Sequence, residues 1–170
     1  EIMIGCIRGR FISVPATTML TTKDIEYRIN SSGVSIAITD SENVDKIESV
    51  RQACPTLEKV IVVGKDGSHP EYEDLLRSAS TDLPNPQNPS SDLLLVYFTS
   101  GTTGYPKMVP ATHASYPIGH DATGKFWMDN RPTDLHWTIA DTGWAQAAWS
   151  CFFGPWNMGA ALFISDKRGR

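Results

Sequence analysis

One nine-residue stretch, Thr99-Ser100-Gly101-Thr102-Thr103-Gly104-Tyr105-Pro106-Lys107, concentrates the side chains that could do chemistry. It offers four hydroxyls, from Thr99, Ser100, Thr102 and Thr103, together with two glycines and a terminal cation. A polyphosphate needs many donors converging from one side. Gly101 and Gly104 free the backbone for conformations in which successive amides point at one anion. The hydroxyls add donors and Lys107 adds a mobile positive charge. That is a phosphate cradle in composition. The plainer reading of any Ser/Thr/Gly cluster is a polar turn between two strands. The common nucleotide loop G-x-x-x-x-G-K-[ST] is not matched, because Pro106 precedes the lysine and Met108 follows it.

Other reactive side chains are scattered. Asp141-Thr142-Gly143-Trp144 reads first as the start of a helix, with Asp141 or Thr142 as its cap. His69, His120 and His136 have no partners at metal-ligand spacing, so no metal centre is expected. Cys6, Cys54 and Cys151 are odd in number and far apart, with no C-x-x-C pair, and are read as reduced thiols in the core or at the surface.

The order of residues in the first stretch is more particular than a generic turn requires. Thr-Ser-Gly-Thr-Thr-Gly-Tyr-Pro-Lys resembles the signature loop of the AMP-forming adenylating (ANL) superfamily: acyl-CoA synthetases, luciferases and peptide-synthetase adenylation domains. It matches Thr-Ser-Gly-[Ser/Thr]-[Ser/Thr]-Gly-x-Pro-Lys at every fixed position. The resemblance implies that Thr99 to Lys107 holds the β- and γ-phosphates of ATP, with Mg²⁺ and with coenzyme A as co-substrate. A carboxylate would attack the α-phosphorus to give an acyl-adenylate and pyrophosphate, and the CoA thiol would then displace AMP. No general base is required of this segment, and no catalytic residue is assigned within it.

Three further positions take a role from the same resemblance. Trp-Thr-Ile-Ala-Asp-Thr-Gly-Trp, ending at Trp144, is similar to a segment of acetyl- and medium-chain acyl-CoA synthetases whose Gly-Trp lines the acyl or CoA-facing cavity. Gly143 and Trp144 are thus candidates for a flat apolar wall against an aliphatic acid, with core packing as the alternative. Thr112-His113 stands at the distance from Lys107 of a Thr-His pair common in the family, which implies a loop-orienting role for His113; a structural hydrogen-bonding role is the alternative. Met108 and Cys6-Ile7-Arg8 lean towards the medium-chain branch, and so towards a medium-chain fatty acid. Other readings stay open: an adenylating enzyme for another acid, a truncated non-catalytic binding protein of the same fold, or an unrelated kinase-like phosphate binder. The missing G-K-[ST] loop counts against the last.

The family's Tyr-Gly-x-Thr-Glu adenine segment, its Thr-Gly-Asp ribose aspartate, its hinge and its small C-terminal domain do not occur in these 170 residues. The chain is therefore expected to be an internal fragment of the large N-terminal domain, inactive and at most a weak nucleotide binder by itself. Compartment and oligomeric state are left open. The resemblance implies an intracellular setting, mitochondrial or cytoplasmic.

The elements that must position these residues follow from periodicity. A short strand is expected at 11–14, a helix capped by Thr22 and ended by Gly33, a strand at 35–39, and a helix on Val44, Ile47, Val50 and Cys54 stopped by Pro55. Next come a strong buried strand at 59–63, a turn from Gly64 to Gly67, and a helix over Tyr72, Leu75, Leu76 and Ala79. After Pro84, Pro86 and Pro89, the apolar run from Leu93 to Phe98 leads directly into the Thr/Gly stretch. A Pro- and Gly-interrupted helix is expected within 112–126, a strand at 135–139, a helix at 144–153 and a strand at 160–164. Alternating strands and helices imply α/β architecture with mostly parallel sheets flanked by helices. Two subdomains are expected, at 1–80 and 92–170, joined by a Pro-rich linker at 81–91.

A hydrophobic fraction of 41% and a net charge of −4 fit a globular chain, and fifteen thinly spread basic residues make no nucleic-acid surface. Residues 142–165 carry no charge, which raises a membrane span. Gln146, Gly154, Pro155, Asn157 and Gly159 interrupt the stretch, so a buried helix followed by a strand is preferred, with a fatty-acid tunnel wall as the sharper alternative.

Overall fold

The structure is a computed structural model that describes residues 1–84, 86–100 and 104–165. It is a mixed α/β chain of two compact units, one formed by Glu1–Thr17 with Pro86–Arg170 and the other by Thr18–Asn85. The first seventeen residues therefore pack with the C-terminal half, whereas the sequence groups them with residues up to 80.

Within Thr18–Asn85 the elements run α2 (Thr22–Ser32), β1 (Ile36–Asp40), α3 (Val44–Glu48), β2 (Lys59–Val63) and α4 (Tyr72–Ser78), the first helix, α1 (Ile2–Gly9), lying in the other unit. Helix α2 starts one residue earlier than the sequence suggests. Thr21 is its cap: the Thr21 hydroxyl accepts from the Asp24 amide at 3.3 Å, and the Thr21 amide donates back to the Asp24 carboxylate at 3.1 Å. This capping box satisfies two amides that would otherwise lack helical partners. Gly33 closes the helix at φ 64°, a left-handed turn that glycine adopts without strain. Strands β1 and β2 pair in parallel, Ile36 opposite Lys59 through Asp40 opposite Val63. Their core gathers Ile29, Val44, Val50, Cys54, Leu57, Val60 and Val62. The helix expected from Val44 to Cys54 is instead α3 followed by a 3-10 turn at Arg51–Ala53, which still delivers Val50 and Cys54 to the core.

In the other unit, α1 (Ile2–Gly9) leads to an extended segment in which only Ser13 pairs, with Leu95 of β3 (Leu93–Thr99). The Ser13 amide donates to the Leu94 carbonyl and the Val96 amide donates to the Ser13 carbonyl. The strand expected at 11–14 is reduced to that bridge; Phe11 and Ile12 are 58% and 49% exposed, so little burial holds a longer ladder. On its other side β3 pairs antiparallel with β4 (Lys107–Thr112), an element the sequence reading leaves out. Pro110 hides it, and exposed β4 tolerates a residue without an amide donor because it is an edge strand. The remaining elements are α5 (Ser115–Ala122), β5 (Leu135–His136), α6 (Ala145–Ala148), α7 (Gly154–Asn157) and β6 (Ala161–Leu162).

Single π-helical turns, Thr123–Trp127 and Trp149–Phe153, continue α5 and join α6 to α7. Gly124 approaches the Gly154 carbonyl so closely that a Cβ on it would lie 2.3 Å from that oxygen. Trp127 stacks on Trp149 with centroids 5.1 Å apart, and Tyr116 meets Phe153 edge-on at 5.2 Å. Strands β5 and β6 pair in parallel over two residues each, shorter than expected, and Ile139 and Ile164 beyond them are each 82% exposed. Among the described residues three two-stranded sheets result, two parallel and one antiparallel. Among the described residues no helix is long and apolar enough to cross a membrane. The uncharged stretch folds as the short helices α6 and α7, joined by a π-turn and followed by β6.

Candidate functional site

Strand β3 is a continuous apolar run in which Leu94, Leu95, Val96 and Tyr97 are all buried. Burial on both faces fixes its register and its direction. Ladder pairing with β4 runs from Leu95 opposite Ala111 through Tyr97 opposite Val109 to Thr99 opposite Lys107. The first and last residues of the Thr/Gly stretch are thus a cross-strand pair, and everything from Ser100 to Pro106 is the connection between them. Thr99, Ser100, Gly104, Tyr105 and Lys107 are exposed. Gly104 sits at φ 103°, a backbone conformation closed to residues with a Cβ. Gly101, Thr102 and Thr103 lie outside the described residues. Among the described residues Lys107 makes no ion pair, so its ammonium is available to an incoming anion. A cation and hydroxyls at the mouth of a hairpin suit a phosphate group, and the plain reading of a turn between strands fits the same ladder.

His113 lies elsewhere. It follows the far end of β4, and six steps of extended chain put it about 20 Å along the strand from Lys107. Its amide donates to the Asp92 carbonyl, and its Nε2 is 3.4 Å from Asn88 Nδ2, which also donates to the Ile7 carbonyl at 2.7 Å. Thr112 beside it forms a reciprocal pair with Ser115: each amide donates to the other's hydroxyl oxygen, at 2.9 and 3.0 Å, at the start of α5. The structure therefore brings Thr112 and His113 to the base of the hairpin, away from the loop.

Gly143 and Trp144 occupy a third place, the approach to α6. The Asp141 carboxylate accepts from the Thr17 hydroxyl at 2.7 Å through one oxygen and from the Gly143 amide at 2.8 Å through the other. Residues 16 and 17 press on Gly143 so tightly that a Cβ there would fall 2.1 Å from the Ala16 carbonyl carbon and the Thr17 nitrogen. Trp144 occupies the cap position of α6 and is 50% exposed, so it is not a core residue of the described structure. Asp141 is the residue whose importance the sequence understated: as a local helix cap it looked ordinary, and its partner Thr17 lies 124 positions away.

Two tyrosines border the region between β3 and the helices. Tyr97 and Tyr116 have buried hydroxyls without a hydrogen-bond partner among the described residues. Burial pushes both hydroxyls up, Tyr116 to about 12, so both stay neutral at physiological pH. Burial also lowers the pKa of His120, whose ring meets Tyr116 edge-on at 4.4 Å. All three cysteines are free, and burial raises the Cys54 thiol. Among the described residues no group of three His, Cys, Asp or Glu side chains could hold a metal ion.

Comparison with known proteins supplies the context for this hairpin. Human mitochondrial acyl-coenzyme A synthetase ACSM3 is 36% identical over 162 residues, covering 94% of this chain and 28% of that protein. Human mitochondrial ACSM5 is 36% identical over 168 residues, covering 97% of this chain and 29% of that protein. The chain thus spans less than a third of the curated relatives it matches. Among solved structures, the anthranilate CoA ligase AuaEII in complex with anthranoyl-AMP superposes with a TM-score of 0.87 at 26% identity, covering 95% of this chain and 32% of that one. An acyl-CoA synthetase of Brucella canis superposes with a TM-score of 0.82 at 25% identity, covering 94% and 29%. The sequence profile of the AMP-binding enzyme family matches residues 1–170 throughout, and the chain belongs to that family.

Proposed function

We propose that this chain is the phosphate-binding part of an AMP-forming carboxylic acid–CoA ligase. The longer protein joins a carboxylic acid to AMP with release of pyrophosphate, then passes the acyl group to coenzyme A. The observation that supports this reading is the hairpin: a buried strand ends in a Thr/Ser/Gly/Lys connection whose termini, Thr99 and Lys107, are exposed and face each other across the ladder. Thr99, Ser100, Thr102, Thr103 and Lys107 would hold the β- and γ-phosphates, with Gly101, Gly104, Tyr105 and Pro106 shaping the backbone around them. ATP supplies the AMP and the leaving pyrophosphate. Mg²⁺ would come with the nucleotide, since such ions are held largely by phosphate oxygens and water. What the chain's own residues contribute is a fixed positive charge and oriented donors, which lower the cost of charge developing on departing phosphates.

A medium-chain fatty acid is the proposed substrate, by likeness to the acyl-coenzyme A synthetases above. Exposed Trp144 and the stacked Trp127–Trp149 pair offer flat apolar surface that suits an acyl chain. An aromatic acid is the second reading, favoured by the superposition on a ligase complexed with anthranoyl-AMP. For His113 the contacts to Asn88 and Asp92 support a role at the hairpin base. The test is acid-dependent exchange of labelled pyrophosphate into ATP by the full-length protein, with octanoate, benzoate and acetate. Exchange with octanoate that collapses in Lys107→Ala is the expected result. Exchange with none of the acids by the folded full-length protein would replace this reading with a non-catalytic binding role.

A further inference from the structure

The unit Thr18–Asn85 carries a titratable cluster far in sequence from the phosphate loop. In the turn after β2, His69 Nδ1 lies 2.5 Å from Asp66 Oδ2, and His69 Nε2 lies 3.0 Å from Glu48 Oε1 at the end of α3. The same Glu48 oxygen receives Arg51 Nη1 at 2.9 Å. The His69 side chain is 17% exposed and Asp66 13%, whereas Glu48 and Arg51 keep more contact with solvent. Two further carboxylates, Glu71 and Asp74, line the shallow depression beside His69 from the start of α4.

A neutral imidazole has one N–H and one bare lone pair. An ionised carboxylate can only accept. Carboxylates at hydrogen-bond distance from both ring nitrogens therefore fit the imidazolium, which donates twice, and conflict with either neutral tautomer, which leaves one lone pair facing an anion. We propose that protonated His69 is a pH-dependent clasp that fastens the β2–α4 turn to helix α3. Asp66 ties the clasp into the turn, because its other oxygen accepts from the Ser68 and His69 amides at 3.1 and 3.0 Å. Glu48 ties it to α3. Deprotonation removes one of the two bonds; the proton stays on Nδ1 at the shorter contact to Asp66, so the bond lost is the one from Nε2 to Glu48, which is the link between the elements.

The cluster's electrostatics agree with the geometry. Hydrogen bonds donated to Asp66 and then Glu48 raise the His69 pKa, and the bonds from His69 hold Asp66 at about 2. Because the folded His69 value is raised, its contribution is complete below the unfolded value and fades as pH climbs through the folded one. Asp66 works in the opposite sense: its contribution holds above its unfolded value and fades as pH falls through the folded one. The clasp is thus closed from mildly acidic pH up to the raised histidine value and open above it.

Amide hydrogen exchange of the full-length protein, followed by mass spectrometry on peptides covering 64–71 and 44–51 and corrected for intrinsic pH effects, tests this. Protection of the turn should fall as pH rises through the His69 midpoint, by about tenfold for each unit by which that midpoint exceeds the unfolded value. In His69→Gln the pH dependence of that peptide should vanish. Glu48→Gln, which keeps an acceptor but removes the charge, should move the midpoint to lower pH, and this variant decides the matter if His69→Gln fails to fold. Protection that does not change with pH in the parent, or a midpoint that Glu48→Gln leaves in place, overturns the clasp.

Discussion

Lys107 is the one cation of the Thr/Gly stretch, and its contact with phosphate would be a charge-assisted hydrogen bond of about 1.5–3 kcal/mol. Lys107→Ala should therefore slow pyrophosphate exchange by about 10- to 100-fold while leaving the unfolding midpoint unchanged, as an exposed side chain outside the core permits. Gly143 behaves in the opposite way. A methyl group there overlaps the backbone of residues 16 and 17, so Gly143→Ala should cost about 2 kcal/mol or more in denaturant unfolding, whatever it does to activity. If Gly143→Ala unfolds like the parent, the close approach is not a constraint in solution. The two substitutions would separate a residue proposed to act in the chemistry from one kept for space.

At the scale of elements, helix α2 gives the sharpest expectation. Thr21→Ala removes one side of the capping box and should cost about 1 kcal/mol, and adding Asp24→Ala should cost little more, since the two side chains act as one unit. The Thr21 hydroxyl and amide both donate to the Asp24 carboxylate and depress its pKa. The stability Asp24 contributes is present above its unfolded value and lost as pH falls through the folded one, so Thr21→Ala should flatten the acid limb of a stability–pH profile. Elements of this kind were largely legible. Lys59–Val63 has its observed bounds in the sequence because β-branched residues crowd it, and Gly33 ends α2 as expected. The misreadings have local causes. Thr21 and Thr22 are adjacent, and only the position of Asp24 chooses between them. Pro110 disguised β4, and the π-turns place Trp127 and Trp149 where a regular helical period would not. For the candidate site, the loop's ends were visible but their opposition across a ladder was not, because register depends on β4. Asp66 and His69 are three residues apart, whereas Glu48 joins them only through the fold.

At the scale of the whole molecule, many large apolar side chains among the described residues are exposed. Ile139 and Ile164 are each 82% exposed, Phe126 78%, Trp127 73% and Ile118 71%. Apolar area of this extent marks surfaces that other protein covers. The 170-residue chain produced by itself should bind a hydrophobic dye and scatter light increasingly with concentration. A monodisperse monomer with a sharp cooperative melt and no dye binding would contradict this. A natural partner for that surface is the rest of a longer polypeptide, since the curated relatives are more than three times as long as the matched region.

The pairing of Thr99 with Lys107 has a consequence for how such a protein can change. Because the buried run from Leu94 to Tyr97 sets the frame and the last ladder pair closes it, the connection from Ser100 to Pro106 is a cassette with fixed sockets. Substitutions within it leave the buried frame of the strand untouched. Inheritance can then vary the chemistry of the connection without renegotiating how the buried strand folds.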